Sequence, residues 1–531
     1  FLAGVYRFTG CDISMALAFQ ALLGLGSCFL LFALGRTLFG ERAGLMAAGL
    51  MAGYWAFIYY EGEFLEPVLL VLLLPAAALA CWRCADPALR PVACGLLAGA
   101  LIGLAGLVKP NALVLAPVMA VWVFRAALRA QGARHARLTV VGLLVAAAAI
   151  VAPVTVRNAL AGGGRVLVSA NGGVNLLIGN HARADGTYRG PPEIAPFDSC
   201  FDYPRMLQDL AGRLGRAVTY SEASSWFAGR ALDWMRTNPG DALRLTGRKA
   251  LLFWGPAEVP HNKVEALERS DSLALRVVPI GFAFVFSLAL LGLFPLRTRG
   301  EAADGAGMIR SGGVGLITLF IGTWFLTHLP FFVSGQYRAP VIPFLMLLAG
   351  RAGDGALCLI RRRQWRRVIV LCLGWVILLA LVSKDWAGVP PSPGRWHFDR
   401  GLAYEKAGNT NGACREYVEA IRANADDSRP RVNLGNLLFA QARYAEAVNQ
   451  YMAALAIEPR HPGVLCNLGM TLARMNRWPE AESCFVEALR IAPERTFVLR
   501  AAAAFFRGCP DPAVWNPVLA DWLDADAGPG L

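Results

Sequence analysis

The sequence predicts a protein dominated by α-helices, with a polytopic helical membrane domain, a small mixed α/β insertion on the outer side of the membrane and a C-terminal solenoid of helical repeats. Of its 531 residues, 56% are hydrophobic, and the mean hydropathy is +0.45. That is too apolar for a water-soluble chain of this length. In the last third, small and aromatic residues recur with a fixed spacing. These two observations predict a membrane region followed by a repeat region.

Apolar runs of about 18–22 residues, long enough to cross ~30 Å of hydrocarbon, recur through the first part of the chain. We predict ten spans, near 14–35, 42–60, 64–82, 92–108, 110–128, 138–157, 273–296, 312–333, 339–358 and 367–384. The predicted domains are membrane helices at 1–157 and 273–384, an insertion at 158–272, a linker at 385–393, three repeats at 394–500 and capping helices with a tail at 501–531.

The net charge of +13 lies in the membrane region, where arginines crowd the short connections between spans. Such a distribution indicates the cytoplasmic side of the membrane, so we do not read it as a nucleic-acid interface. With ten spans, the insertion and the repeats fall on the opposite face. We therefore expect a multi-pass protein of the bacterial cytoplasmic membrane whose repeats lie in the periplasm.

The repeats have a period of 34 residues. Small residues recur where paired helices approach closely, and aromatic residues recur where they fill the gap between helices. The four columns are Gly401, Gly435 and Gly469; Ala413, Ala447 and Ala481; Tyr417, Tyr451 and Phe485; and Ala420, Ala454 and Ala488. Pro459 and Pro493 close the second and third copies. This is the tetratricopeptide pattern, which predicts a surface that binds a protein partner.

The twelve cysteines are scattered, mostly in apolar runs and in the repeats. Cys81 and Cys84 form a CxxC pair, but no second pair or histidine cluster follows at a spacing typical of zinc sites. Burial as small hydrophobic side chains accounts for most of them. We predict no metal site, and the sequence leaves a requirement for a divalent ion open.

Several charged residues lie at predicted outer helix ends. Glu61, Glu63 and Glu66 occupy one corner, where they are either a solvated tip or groups that face a polar cavity. Lys109 lies between two spans and either neutralises a phosphate or reaches the lipid headgroups. Arg338 opens another span, and its planar donors suit a phosphate as well as an interfacial anchor.

The insertion begins with a stretch dense in Gly and Asn, with short Val/Leu/Ile runs that we expect to form strands. Asn180, His181 and Asp185 in this stretch are of the type that holds sugar hydroxyls, although turn formation alone also explains them. Further on, residues 221–254 are predicted to form amphipathic helix. The three polar residues are therefore weaker candidates for ligand contacts.

The chain resembles the GT-C superfamily of polytopic glycosyltransferases, in particular bacterial relatives of protein O-mannosyltransferases and of the lipid A aminoarabinose transferase. The matching stretches are Phe39 to Leu45, Tyr60 to Pro67, Gly103 to Pro110 and Gln336 to Pro343. The stretch from Asn171 to Thr187 is similar to the periplasmic loop of members that also end in tetratricopeptide repeats. The order of these stretches carries the resemblance, which extends over nearly the whole chain.

The resemblance implies an inverting enzyme that moves a sugar from an undecaprenyl-phosphate-type carrier to a protein, lipid or glycan on the periplasmic face. Lys109 and Arg338 would bind the donor phosphate, and Glu61, Glu63 and Glu66 would lie on the acceptor or sugar side. In this superfamily the usual base is an Asp in the first outer loop. Asp12 is better explained as a helix N-cap. We therefore expect either that the catalytic base lies upstream of Phe1 or that this fragment is inactive, and no catalytic residue is assigned.

Parts of the sequence also fit two other functions. A non-catalytic, membrane-anchored scaffold could present the repeats to a periplasmic partner, for example in envelope-polysaccharide assembly, and would not depend on Glu61, Lys109 or Arg338. A transporter is disfavoured because the middles of the predicted spans carry few charges.

Overall fold

The computed structural model describes residues 2–10, 12–63, 66–86, 88–161, 164, 166–188, 190, 203–260, 265–278, 280–294, 305–388, 393–493, 495–514 and 516–527. It divides into two compact units, Phe1–Pro390 and Pro391–Leu531. Within the described residues every regular element is a helix, and the β-type pairing is a single bridge between Tyr54 and Ile280. The predicted all-α-dominated class is confirmed.

The first unit contains helices α1 (Leu2–Thr9), α2 (Ile13–Phe39), α3 (Glu41–Ala52), α4 (Trp55–Glu61), α5 (Pro67–Arg83), α6 (Pro91–Val108), α7 (Leu115–Gln131), α8 (Ala133–Leu160), α9 (Gly172–Gly179), α10 (Tyr203–Leu214), α11 (Tyr220–Thr237), α12 (Pro239–Trp254), α13 (Glu265–Asp271), α14 (Leu273–Arg276), α15 (Phe282–Gly292), α16 (Gly305–His328), α17 (Gly335–Arg338), α18 (Ile342–Arg361) and α19 (Trp365–Ser383). Short 3-10 turns at Pro110–Val114 and Ala339–Val341 lead into α7 and α18.

Six helical segments of the described chain are long and apolar enough to cross a membrane: Ile13–Phe39, Pro91–Val108, Pro110–Gln131, Ala133–Leu160, Gly335–Arg361 and Trp365–Ser383. They coincide with six of the ten predicted spans. Pro67–Arg83, Phe282–Gly292 and Gly312–His328 are shorter apolar helices. The predicted span 42–60 is two helices, because α3 ends before Gly53 and the next residues pair with Ile280.

Close helix contacts in this unit depend on glycine. Gly95, Gly99 and Gly103 lie one helical turn apart on α6 and face α8. A Cβ at Gly95 would lie 2.5 Å from the carbonyl oxygen of Thr139, and one at Gly99 would collide with the carbonyl of Leu143. Small residues at this spacing allow membrane helices to pack backbone against backbone. The α6–α8 contact is therefore set directly by the sequence.

The mixed α/β character predicted for the insertion is wrong in the described residues. The run from Val174 to Ile178, expected to extend as a strand, lies in helix α9. Val174, Leu177 and Ile178 are buried against α11. Their spacing of i, i+3 and i+4 is typical of one helix face. The flanking glycines made this helical pattern hard to recognise in the sequence. The predicted helix over 221–254 is present as α11 and α12, separated at Asn238.

The second unit consists of helix pairs: α20 (Pro393–Lys406) with α21 (Thr410–Ala423), α22 (Ser428–Ala440) with α23 (Tyr444–Ile457), α24 (Pro462–Arg474) with α25 (Trp478–Ile491), and α26 (Thr496–Gly508) with α27 (Pro517–Ala527). The first three pairs are the predicted repeats. The fourth pair begins at Thr496, slightly earlier than the predicted start of the capping helices.

The repeat columns identified in the sequence meet inside each pair. A Cβ at Gly435 would lie 2.7 Å from the ring of Tyr451, and one at Gly469 would lie 2.9 Å from the ring of Phe485. The first pair has the same contact between Gly401 and Tyr417. The rings are fully buried, so glycine in the first helix makes room for the aromatic ring in the second.

Candidate functional site

One cleft in the first unit collects groups suited to a small anionic ligand. It measures about 550 Å³ with its open mouth included. The turn between α6 and α7, the N-terminal end of α9 and the segment from the end of α16 to α17 contribute its walls. Its described lining comprises Lys109, Pro110, Asn111, Ser169, Asn171, Gly172, Asn175, His328, Phe331, Phe332 and Tyr337.

Lys109 supplies the cation of this cleft. Its backbone ends α6 in an extended conformation before the Pro110–Val114 turn. Its Nζ lies 2.6 Å from Oε1 of Glu66 and 3.5 Å from the centre of the Tyr337 ring. Burial lowers the pKa of Lys109, and the Glu66 carboxylate opposes that shift. The ammonium is thus held at the cleft by one carboxylate and one ring face.

Amide side chains line another part of the cleft. The Asn111 amide donates to the carbonyl of Thr327 at 3.1 Å, which ties this turn to the end of α16. Asn171 and Asn175 lie one turn apart at the start of α9, and their side chains make no hydrogen bond within the described residues. Amide groups at i and i+4 offer donors and acceptors for hydroxyl groups.

His328 forms a buried part of the wall. It ends α16 and is 2% exposed. Its Nδ1 lies 2.8 Å from the carbonyl oxygen of Trp324, and its ring lies 5.6 Å from that of Tyr337. Its Nε2 is buried and has no hydrogen-bond partner among the described residues.

Arg338 belongs to a different, fully buried network. Its guanidinium donates to the carbonyls of Phe253 and Ala257 and to that of Gly255, and forms an ion pair with Glu258 at 2.8 Å. It also lies 3.7 Å from the centre of the Phe282 ring. Arg338 is 2% exposed, so these protein groups surround the cation. Its contact with a donor phosphate stays a prediction.

The three acidic candidates separate in space. Glu66 reaches Lys109, whereas Glu61 and Glu63 are not among the described lining residues of the cleft. The Glu61 carboxylate lies directly against Gly24 of α2, beside a small gap also lined by Ser27. This corner is fastened by Gln20, whose amide donates to the carbonyls of Tyr60, Glu61 and Glu63.

The weaker candidates of the insertion are not among the described lining residues of the cleft. The Asn180 amide donates to the carbonyl of Pro330 at 2.6 Å, and its oxygen accepts from Lys249 Nζ at 2.9 Å. Asp185 accepts from the backbone and hydroxyl of Thr187, as in a turn, and His181 accepts from the backbone of Arg183 at 3.2 Å. Their ligand roles stay predictions. Asp12 accepts from two backbone amides at the start of α2, which confirms the predicted N-cap.

Sequence reasoning missed Asn175, His328 and Tyr337 as members of one site. Asn175 precedes His328 and Tyr337 by more than 150 residues in the sequence, and only the fold brings them together. A signal existed for His328, because it is one of only six histidines and it ends an apolar run directly before the Leu329-Pro330 pair.

Two family models match the chain. Residues 1–156 match the dolichyl-phosphate-mannose-protein mannosyltransferase family, and residues 426–494 match the tetratricopeptide repeat. Among curated proteins, nothing matches. The first match includes Lys109 and all three acidic candidates. It indicates a membrane glycosyltransferase and, with the apolar helices, a multi-pass membrane protein, and the second indicates a protein-interaction domain.

Solved structures similar to the chain include Pseudomonas aeruginosa PilF, with 20% identity over 33% of this chain and 74% of that chain and a TM-score of 0.24. MamA shares 14% identity over 30% of this chain and 91% of that chain, with a TM-score of 0.23. Yeast Tom70 shares 11% identity over 94% of this chain and 84% of that chain, with a TM-score of 0.24. Likeness at this TM-score assigns no function.

The mannosyltransferase-family match covers residues 1–156, which include Glu66 and Lys109, and the repeat match over residues 426–494 covers the second and third helix pairs of the second unit. The chain thus carries a membrane region that is similar, over residues 1–156, to the dolichyl-phosphate-mannose-protein mannosyltransferase family, and tetratricopeptide repeats over residues 426–494.

Proposed function

We propose that the protein transfers a sugar from a polyprenyl-phosphate carrier to an acceptor hydroxyl, and that the cleft around Lys109 binds the sugar-phosphate headgroup of the donor. The observation that carries this proposal is the combination of one held ammonium, several amides and aromatic rings in a single cleft. An ammonium suits the phosphate, amides suit sugar hydroxyls, and rings such as Tyr337 and Phe331 suit the apolar face of a sugar.

The Lys109–Glu66 pair fits this role because a phosphate can replace the Glu66 carboxylate as the partner of the Lys109 ammonium. The Glu66 side chain is 40% exposed, whereas that of Lys109 is 15% exposed. When a phosphate arrives, Glu66 can turn toward water while the ammonium keeps an anionic partner. Neither state leaves the lysine charge buried and unpaired, which would be costly.

In the transfer, the oxygen of the acceptor bonds to the anomeric carbon as the bond from that carbon to the carrier phosphate breaks. The phosphate leaves with the electron pair, and Lys109 stabilises the charge that develops on it. A base takes the acceptor proton. We propose a structural role for Arg338, because protein groups surround its guanidinium and it is not among the described lining residues of the cleft.

The test uses purified full-length protein in nanodiscs and measures binding of undecaprenyl-phosphate with and without an attached hexose, together with sugar transfer to added acceptors. Lys109→Ala should weaken phosphate binding at least tenfold. The matched control is Lys384→Ala, because Lys384 also lies over a ring, 4.2 Å from the centre of Trp386, but is exposed at the end of α19.

Equal donor binding by wild type and Lys109→Ala would remove the phosphate assignment. A non-catalytic scaffold is the second candidate, favoured by the four helix pairs of the repeat unit. It would show no donor binding at all, while the repeats still bind their protein partner.

The periplasmic position of the repeats is part of the proposal, and Met452→Cys, at a residue 59% exposed, should react with a membrane-impermeant thiol reagent added outside spheroplasts.

A further inference from the structure

We propose that His328 Nε2 is the acceptor in the cleft for a hydroxyl group of the bound ligand. The inference rests on the proposed function, because it assumes that the cleft binds a sugar phosphate and an acceptor. It adds a residue that lies outside the matched family region, which ends at residue 156.

The protonation of the ring follows from its neighbours. Nδ1 lies 2.8 Å from the carbonyl oxygen of Trp324. A carbonyl only accepts, so Nδ1 must carry the hydrogen and donate it. In the neutral ring, Nε2 then has a lone pair and no hydrogen. The contact with Trp324 therefore fixes Nε2 as an acceptor.

This acceptor has no protein donor within the described part of the chain. Nε2 is buried in a side chain that is 2% exposed, and it makes no hydrogen bond. Buried polar atoms are almost always paired in folded proteins, so an unpaired one calls for a partner from outside the chain. His328 is one of the residues that line the cleft, so we infer that a ligand in the cleft supplies this partner.

The partner of Nε2 must be a hydrogen-bond donor, because Nε2 accepts. A phosphate diester oxygen or a carbonyl has no hydrogen to donate, so neither satisfies Nε2. A hydroxyl does. The Lys109 ammonium and the His328 ring both contact Tyr337, at 3.5 and 5.6 Å from its ring centre. A ligand that fills this part of the cleft thus needs an anion and a hydroxyl close together, as a glycosyl phosphate with its acceptor has.

Two variants of His328 distinguish the role of Nδ1 from that of Nε2. In His328→Asn the side-chain amide can still donate to the Trp324 carbonyl, but the atom at Nε2 is gone. In His328→Gln an amide oxygen can take the place of Nε2. We expect roughly 3- to 10-fold weaker function in His328→Asn, the loss of one hydrogen bond, and a smaller loss in His328→Gln.

The readouts identify the source of the hydroxyl. If it belongs to the donor sugar, His328→Asn weakens binding of undecaprenyl-phosphate hexose but not of undecaprenyl phosphate. If it belongs to the acceptor, donor binding is unchanged and KM for the acceptor rises or kcat falls. Unchanged donor binding, KM and kcat in a folded His328→Asn would overturn the inference. Lys109→Ala remains impaired in that case, so the proposed function would stand without it.

Discussion

The buried ion pair between Arg338 and Glu258 allows a sharp test of whether Arg338 holds the fold or binds the donor. We expect Arg338→Met to destabilise the membrane unit without touching the cleft lining. Among the described residues, the variant leaves the Glu258 carboxylate, whose side chain is 4% exposed, with the Tyr54 hydroxyl at 3.4 Å as its hydrogen-bond partner. Removing one partner of a buried pair costs about 3–5 kcal/mol.

The same magnitude can be stated as a melting temperature. Unfolding entropy is about 2 cal/mol/K per residue, and the first unit extends from Phe1 to Pro390. A loss of 3–5 kcal/mol then corresponds to an apparent Tm lower by about 4–6 °C. Size-exclusion chromatography of heated, detergent-solubilised protein measures this shift, with Arg276→Met at a position that forms no ion pair in the described residues as the control.

The double variant Arg338→Met, Glu258→Met completes the experiment. Because it buries no unpaired charge, it should be more stable than Arg338→Met alone. A different outcome would refute the reasoning: an Arg338→Met protein of full stability that has lost phosphate binding. In that case Arg338 would contact the donor, as first predicted from the sequence.

Three further predictions concern packing and burial. Gly99→Val should destabilise the membrane unit by about 1–3 kcal/mol through overpacking against α8, seen as a lower Tm, whereas Gly374→Val in α19 has open space and should change little. Gly435→Val should displace the Tyr451 ring and make the repeat unit more sensitive to limited proteolysis, and an unchanged cleavage rate would contradict this packing. Burial lowers the pKa of Lys249 to about 8, below its value in the unfolded chain. Because the unfolded chain then binds more protons, the stability contributed by Lys249 increases as the pH rises. The Tm of the wild type should therefore rise relative to that of Lys249→Met between about pH 8 and 10.5.

The parts of the fold that repeat were predictable from the sequence. A 34-residue period places Gly435 opposite Tyr451 because both belong to one helix pair, and the apolar runs that became single long helices were found because length alone marks them. Breaks inside apolar runs were not predictable. Composition does not show that α3 stops before Gly53, since the cause is a pairing with Ile280, more than two hundred residues away.

The candidate site was predictable only in its charges. Lys109 and Glu66 stand out because each is a charged residue next to long apolar runs, and the structure brings them within 2.6 Å. Asn175 carries no such signal, since it becomes part of the cleft only when its segment forms helix α9. Because the sequence predicts a strand in this segment, its residues are not recognised as one wall of the cleft. A single error in secondary structure therefore affects several site residues at once.

The contrast between Lys109 and Arg338 shows what decides whether a cation near a membrane surface can serve a ligand. Both have a carboxylate partner and lie over an aromatic ring. Arg338, however, also donates to three backbone carbonyls and pairs with a carboxylate that is 4% exposed, so no partner can leave without burying an unpaired charge. Among the described residues, Lys109 pairs with one carboxylate, that of Glu66, which is 40% exposed and can move into solvent. Exchangeable pairing, rather than charge alone, makes Lys109 the better phosphate-binding group.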